Sequence, residues 1–197
     1  MNDLSPAAIK DRLRAEGFAR RDALDRDWRI KASAQIAERV LALPEFATVE
    51  PVGAYWPMRS EVDPRPILET LVKAGRVVAL SQIRHPHLSW REWRPGDVLV
   101  HGGFKVQEPG PDAPEIFPRA LLMPLCAFDR RGGRLGYGKG HFDVSVAHLS
   151  GLHPLLKIGL AFSVQEVEAV PVEAHDQRLD VVVTEANVHR FEAERGA

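Results

Sequence analysis

Residues 121–143 read LLMPLCAFDRRGGRLGYGKGHFD: an apolar run, then a segment rich in glycine and cations, then an apolar-polar alternation that suits a helix start. Within it, Asp129 to Gly140 holds five of the chain's fifteen glycines and four basic residues, Arg130, Arg131, Arg134 and Lys139. The apolar run predicts a buried strand over Leu121 to Phe128, and His141 to Leu149 predicts a helix. A glycine loop between strand and helix suits an anion. Glycine lets successive backbone N–H groups turn toward a phosphate with no Cβ in the way, and a helix N-terminus adds partial positive charge.

Working outward, the pattern of strands alternating with helices continues. Ser5 followed by Pro6 predicts a helix start, with Ile9, Leu13 and Phe18 on one face and Lys10 with Arg14 on a neighbouring one. A second helix is expected from Asp27 to about Leu43, with Ile30, Ile36, Ala37, Val40 and Leu41 buried and Pro44 as its stop. Val49 to Trp56 reads as a strand, Pro64 to Ala74 as a helix ended by Gly75, and Val77 to Leu80 as a second strand, which together make a βαβ unit. Further strands are expected at 87–93, 98–106, 155–162 and 181–184, with 108–118 as a proline-rich loop. The expected fold is α/β: a single Rossmann-like three-layer domain over residues 1–197, with a mainly parallel or mixed central sheet flanked by helices. In such folds ligands sit beyond the C-terminal ends of strands, where the glycine loop is expected to lie.

Composition narrows the function. The chain is 45% hydrophobic and 27% charged, as ordinary globular proteins are, and 26 basic against 27 acidic residues leave a net charge of -1. No global field draws it to nucleic acid or anionic lipid, so phosphate affinity must be local. The N-terminus lacks a signal-peptide core and no apolar stretch is long enough to span a bilayer, so a cytoplasmic protein is expected; its partners are expected to be small molecules, and the chain is taken as a monomer. The lone Cys126 sits in the apolar run and reads as core rather than as a nucleophile. His85-Pro-His87 has metal-like spacing but no third ligand nearby, and reads as a surface loop.

Gly133 to Gly140 satisfies G-x-x-x-x-G-K, yet Gly140 stands where that phosphate-binding pattern needs a Ser or Thr for magnesium. Asp143 is the nearest carboxylate that could replace it. The competing reading of this segment is a solvated turn, and of Lys10 and Arg14 a solvated helix face. Likewise Tyr55, Trp56, Trp90 and Trp93 are open between core and substrate wall, and Asp176 between ligand and turn cap.

Taken together, 121–143, the basic pair in Lys10-Asp-Arg-Leu-Arg14, YWPMRSEVD at 55–63, and PVEAHDQRLD at 171–180 followed by VVVTE resemble the 5-formyltetrahydrofolate cyclo-ligase (methenyltetrahydrofolate synthetase) family. The resemblance implies a Mg²⁺-dependent enzyme that uses ATP to convert 5-formyltetrahydrofolate into 5,10-methenyltetrahydrofolate, releasing ADP and phosphate. A non-catalytic binder of reduced folate and nucleotide is the alternative. Carried over by position, ATP would lie against Lys10, Asp11, Arg12, Leu13 and Arg14 and against Arg134, Leu135, Gly136, Tyr137, Gly138, Lys139, Gly140, His141 and Phe142. Tyr55, Trp56 and Glu61 would face the folate, joined by Tyr137 to His141. Asp143 and Asp176 would hold the metal, with Lys139 and Arg134 stabilising the transferred phosphoryl group. Many members carry two tyrosines where this chain has His141 and Phe142, which is expected to alter pocket detail rather than chemistry.

Overall fold

The computed structural model describes residues 5–84, 87–103 and 106–191. Along β6 (Ala120–Pro124), Ala120 and Leu122 enter one apolar cluster while Leu121 and Met123 enter another. Successive strand side chains point to opposite faces, so a strand buried on both marks the middle of a covered sheet. Parallel neighbours β1 (Val52–Ala54) and β9 (Leu156–Leu160) flank it. Next come parallel β2 (Val78–Arg84) and β10 (Val181–Val183), then antiparallel edges β3 (His87–Glu92) and β11 (Val188–Arg190). The result is a seven-stranded mixed sheet in the order β11-β10-β9-β6-β1-β2-β3.

Helices α2 (Arg26–Leu41) and α3 (Arg65–Lys73) cover the first face, and α4 (His141–Leu152) covers the second. This is the α/β layering expected from the sequence, including the βαβ unit through β1, α3 and β2. No helix among the described residues is long and apolar enough to cross a membrane.

Helix α1 (Pro6–Asp22) begins as expected, with the Ser5 hydroxyl accepting from Ala8 N–H. It packs away from the main sheet, against a hairpin of β7 (Ala127–Phe128) and β8 (Arg134–Leu135) and against the short helical turn at 163–165. That hairpin corrects the expected single strand over 121–128. Pro124 lacks the N–H to continue the ladder, the chain bends, and Cys126 N–H instead donates to Leu135 O at 2.6 Å. Asp129 then closes the hairpin, its Oδ1 accepting from Arg131 and Gly133 N–H at 2.8 and 3.0 Å. The glycine segment therefore divides: 130–133 is a structural turn, and 136–140 is the loop that enters α4.

Three further differences have plain causes. Ile30 is 58% exposed because it lies in the first turns of α2, on the edge of a buried stripe that begins only at Ala32 and runs through Ser33, Ile36, Ala37 and Val40. The strand expected over 98–106 is β4 (Leu99–His101), paired with β5 (Gln107–Pro109), which takes in the first two residues of the segment expected as loop. Of the His85-Pro-His87 pair, His85 lies outside the described residues, and His87 begins β3 with its ring beside His148, centroids 6.0 Å apart.

Candidate active site

One face of α1 organises the site. Its buried residues are Lys10, Leu13, Gly17 and Arg21, a stripe at helical spacing that is mostly charged or bare. Leu13 packs with Ala127, Leu135 and Val170, which leaves it facing the core rather than a ligand. Gly17 has no substitute: a Cβ there would lie 2.2 Å from Cys126 O, so the helix touches the bend after β6 backbone to backbone. Asp11 and Arg12 are exposed, Asp11 accepting from Arg14 at 2.6 Å and Arg12 lying 3.7 Å from Glu16.

Arg14 Nε donates to Gly136 O at 3.1 Å, which fastens α1 to the glycine loop. Gly138 and Gly140 have φ of +82° and +69°, a region that disfavours side chains, and Gly140 is the residue from which α4 starts, without a side-chain cap. The partial positive charge of the α4 N-terminus is thus delivered at the end of the loop. Lys139 is exposed and forms no ion pair among the described residues. Phe142 is half-buried between the two main core clusters, its ring edge-on to Trp90 at 6.1 Å, an arrangement of packing rather than of ligand stacking. His141 is half-buried, and its carbonyl accepts from Ser145.

Beyond β1 the chain makes a tight turn in which Arg59 holds φ 53°, Glu61 N–H donates to Met58 O at 3.1 Å, and Met58 N–H returns to Glu61 Oε2 at 2.7 Å. Glu61 is consequently 7% exposed, and its Oε1 is buried without a hydrogen-bond partner. Burial pushes the Glu61 carboxyl above its ordinary range, opposed by the Met58 amide, by the charge of Arg21 and by the Tyr137 hydroxyl. Tyr55 is buried, its hydroxyl donating to Val62 O at 2.6 Å, so it serves the core and the turn. Trp56 is half-exposed, with the Arg65 guanidinium over its ring at 5.1 Å and Trp93 edge-on at 6.2 Å.

The acidic residues lie at the other end of α1. Lys10 Nζ bonds Glu173 Oε2 at 2.7 Å and Asp176 Oδ2 at 2.5 Å, and Arg134 bonds Asp143 Oδ1 at 2.7 Å. Burial alone would raise the Asp176 carboxyl, but Lys10 and the Glu173 amide outweigh it and hold it below its ordinary value. The same amide also gives Asp176 a turn-capping bond at 2.8 Å. Potential ligand atoms of Glu173, His175 and Asp176 lie within 4.8 Å of one another. Asp143 Oδ1 accepts from both Arg134 and Gln177 N–H. A separate groove of about 390 Å³ lies on the other flank of α1, between Arg12, Glu16 and Glu166, and contains neither the glycine loop nor the aromatic turn.

Residues 6–185 match the model of the 5-formyltetrahydrofolate cyclo-ligase family. The chain belongs to that family. Its cyclo-ligase relatives include the 5-formyltetrahydrofolate cyclo-ligase of Escherichia coli K12, 32% identical over 177 residues that cover 86% of this chain and 96% of the relative. The mouse cyclo-ligase is 26% identical over 90% of this chain and 94% of its own length. Among solved structures, the 5,10-methenyltetrahydrofolate synthetase of Aquifex aeolicus superposes with a TM-score of 0.80 at 30% identity, covering 96% of each chain. The cyclo-ligase turn and loop come together through a residue that the sequence reading did not single out. Arg21 joins Ser60, beside Glu61, to Tyr137 in the glycine loop.

Proposed function

We propose that this cyclo-ligase closes 5-formyltetrahydrofolate to 5,10-methenyltetrahydrofolate at the expense of ATP, and that loop 136–140 is where the two substrates meet. The observation that carries the reading is the double attachment of this loop. Gly136 is held by Arg14, the last residue of the basic segment read as the nucleotide side, while Tyr137 faces Arg21 and Glu61, on the folate side. Folate and nucleotide would then share one rigid segment, as phosphoryl transfer between them requires.

The formyl group on N5 is an amide whose oxygen leaves too poorly for N10 to displace it. Transfer of the γ-phosphoryl group to that oxygen gives an imidate phosphate, N10 adds to the activated carbon and gives up its proton, and phosphate departs with the oxygen and can carry that proton away. No protein nucleophile is needed, in keeping with a thiol at Cys126 that burial raises to about 11. The loop amides and Lys139 would bind the charge that develops on the phosphoryl oxygens, and Trp56 would offer a flat wall to the pterin. Glu61 Oε1 would accept from a pterin amine.

The carboxylates fit a hard divalent cation such as Mg²⁺, which takes one or two carboxylates together with water and phosphate oxygens. Asp143 and Asp176, each already oriented through one oxygen by a buried cation and a backbone amide, would hold it through the other. Bound there, the ion would supply compensation for phosphate charge. The same reading takes the protein as a cytoplasmic single-domain monomer. The test is to mix purified protein with 5-formyltetrahydrofolate, ATP and MgCl₂ and follow methenyl absorbance. Product that requires all three, with one ADP per turnover, supports the reading; no product, or product without ATP, refutes it.

A further inference from the structure

Arg21 is 1% exposed, yet it forms no salt bridge among the described residues. Its guanidinium is satisfied by neutral groups: Nε donates to Ser60 Oγ at 3.0 Å, one terminal nitrogen to Leu125 O at 3.5 Å and the other to Tyr137 Oη at 3.0 Å. The rings of Phe18 and Tyr137 lie 5.5 and 6.0 Å from its central carbon. Ser60 in turn donates to Asp22, the last residue of α1. Burying a cation without a contacting anion is costly, and an apolar residue of the same volume would serve the fold better. Beside it stands the opposite anomaly, a buried Glu61 carboxylate whose Oε1 has no hydrogen bond of ordinary geometry among the described residues and whose protein donors are the Met58 amide and, more loosely, the Tyr137 hydroxyl. Two such departures at one place are the mark of a site rather than of a core.

The groups facing Glu61 come from four segments: Arg21 from α1, Tyr55 after β1, Cys126 from the bend after β6, and Tyr137 from the glycine loop. Burial raises Tyr55, Cys126 and Tyr137, so all three stay neutral near neutral pH and Arg21 is the one charge among them. Resting on the function proposed above, we infer that Arg21 is a positioning residue for the folate. Its fork fixes Ser60 and Tyr137, and its charge keeps Glu61 an acceptor-only anion whose free oxygen receives a donor from the pterin. It touches the folate only through these groups.

Three variants test this: Arg21→Met, Arg21→Lys and Tyr137→Phe, each checked for folding by circular dichroism. Weakening the charge-assisted bond between Glu61 and the substrate raises the KM for 5-formyltetrahydrofolate by about tenfold in Arg21→Met, with the KM for ATP changed less than about twofold. The acid limb of kcat/KM for the folate moves up by about one pH unit, because Glu61 then accepts a proton more readily. Arg21→Lys restores the acid limb, since charge suffices there, and retains part of the KM rise because the fork is lost. Tyr137→Phe also raises the folate KM. A merely structural role would lower the active fraction and leave KM and acid limb in place, and that result in a folded Arg21→Met overturns the inference. So does an equal rise in both KM values. Should Arg21→Met not fold, wild-type folate KM in both other variants overturns it. Failure of the wild-type protein to turn over sinks the cyclo-ligase reading instead; folate affinity by fluorescence titration then decides on Arg21, expected about tenfold weaker in Arg21→Met and, if unchanged, fatal to its role.

Discussion

Gly17→Ala is the substitution for which helix propensity and packing predict opposite signs. In a helix interior alanine is favoured over glycine by about 1 kcal/mol, so on propensity alone the variant gains stability. The added Cβ, however, meets Cys126 O at 2.2 Å and Cys126 C at 3.0 Å, and both are backbone atoms that no rotamer can move aside. Restoring an ordinary carbon–oxygen contact of about 3.3 Å requires α1 and the bend after β6 to separate by about 1 Å. Overpacking of this kind costs about 1–3 kcal/mol. The shift also stretches the Arg14–Gly136 bond at 3.1 Å and the Arg21–Tyr137 bond at 3.0 Å past hydrogen-bonding range. The expected sum is a net loss of about 2 kcal/mol and a fall in Tm of about 4–8 °C. Activity should fall further than stability does, because the two bonds lost are those that hold the glycine loop. Urea unfolding and steady-state kinetics on the same preparation measure both. Gly151→Ala, near the end of α4 with nothing within 4 Å of the added carbon, is the control and should gain up to about 1 kcal/mol. A Gly17→Ala protein as stable as wild type would falsify the close-approach argument.

Lys139→Ala should reduce kcat by about 10²-fold, the effect of losing one charge-stabilising donor, and should leave the urea midpoint unchanged because the side chain is exposed and unpaired among the described residues. Unaltered turnover would remove Lys139 from the site. For Asp176, whose folded carboxyl lies below its ordinary value, the stabilisation is present above the unfolded pKa of about 4 and is lost as pH falls through the folded value. Asp176→Asn should therefore flatten the acid side of the stability curve, and parallel urea midpoints for both proteins between about pH 3 and 6 would count against the Lys10 pairing. Cys126, buried and raised to about 11, should resist thiol reagents in native protein at neutral pH and react at the rate of unfolding in urea. Immediate stoichiometric labelling of native protein contradicts that burial.

The glycine loop was legible because its function needs backbone that side chains would spoil, and glycine shows directly in a sequence. The layers were legible too, since buried strands such as Leu121-Leu-Met advertise themselves by uninterrupted apolarity. What did not show was the inward face of α1. Apolar periodicity pointed to Ile9, Leu13 and Phe18, whereas the helix buries Lys10, Gly17 and Arg21 along with Leu13. A charge stripe in isolation reads as a solvated face, and only partners more than a hundred residues away, at Gly136, Tyr137 and Asp176, turn it inward. The signal available for Arg21 was its spacing: positions 10, 14, 17 and 21 fall on one helical stripe, and the first two already belonged to the basic block. Short strands such as β8 and β11, two and three residues of mixed polarity, carry too little pattern to be read.

Charge arithmetic at the loop bears on the proposed need for a divalent ion. The cations on its proposed nucleotide side are Lys10, Arg14, Arg134 and Lys139, with Arg21 buried behind Tyr137 beside Glu61, and three of the four already have carboxylate partners: Lys10 with Glu173 and Asp176, Arg14 with Asp11, Arg134 with Asp143. Four cations against four carboxylates leave no net charge. A triphosphate entering there meets Lys139, which has no carboxylate partner among the described residues, together with loop amides and the end of α4, and meets repulsion from Asp143 and Asp176. Neither aspartate can withdraw, because each is anchored through one oxygen to a buried cation and a backbone amide. A divalent cation held by their remaining oxygens reverses the sign of that repulsion, so the same residues that would exclude free nucleotide would select its metal complex.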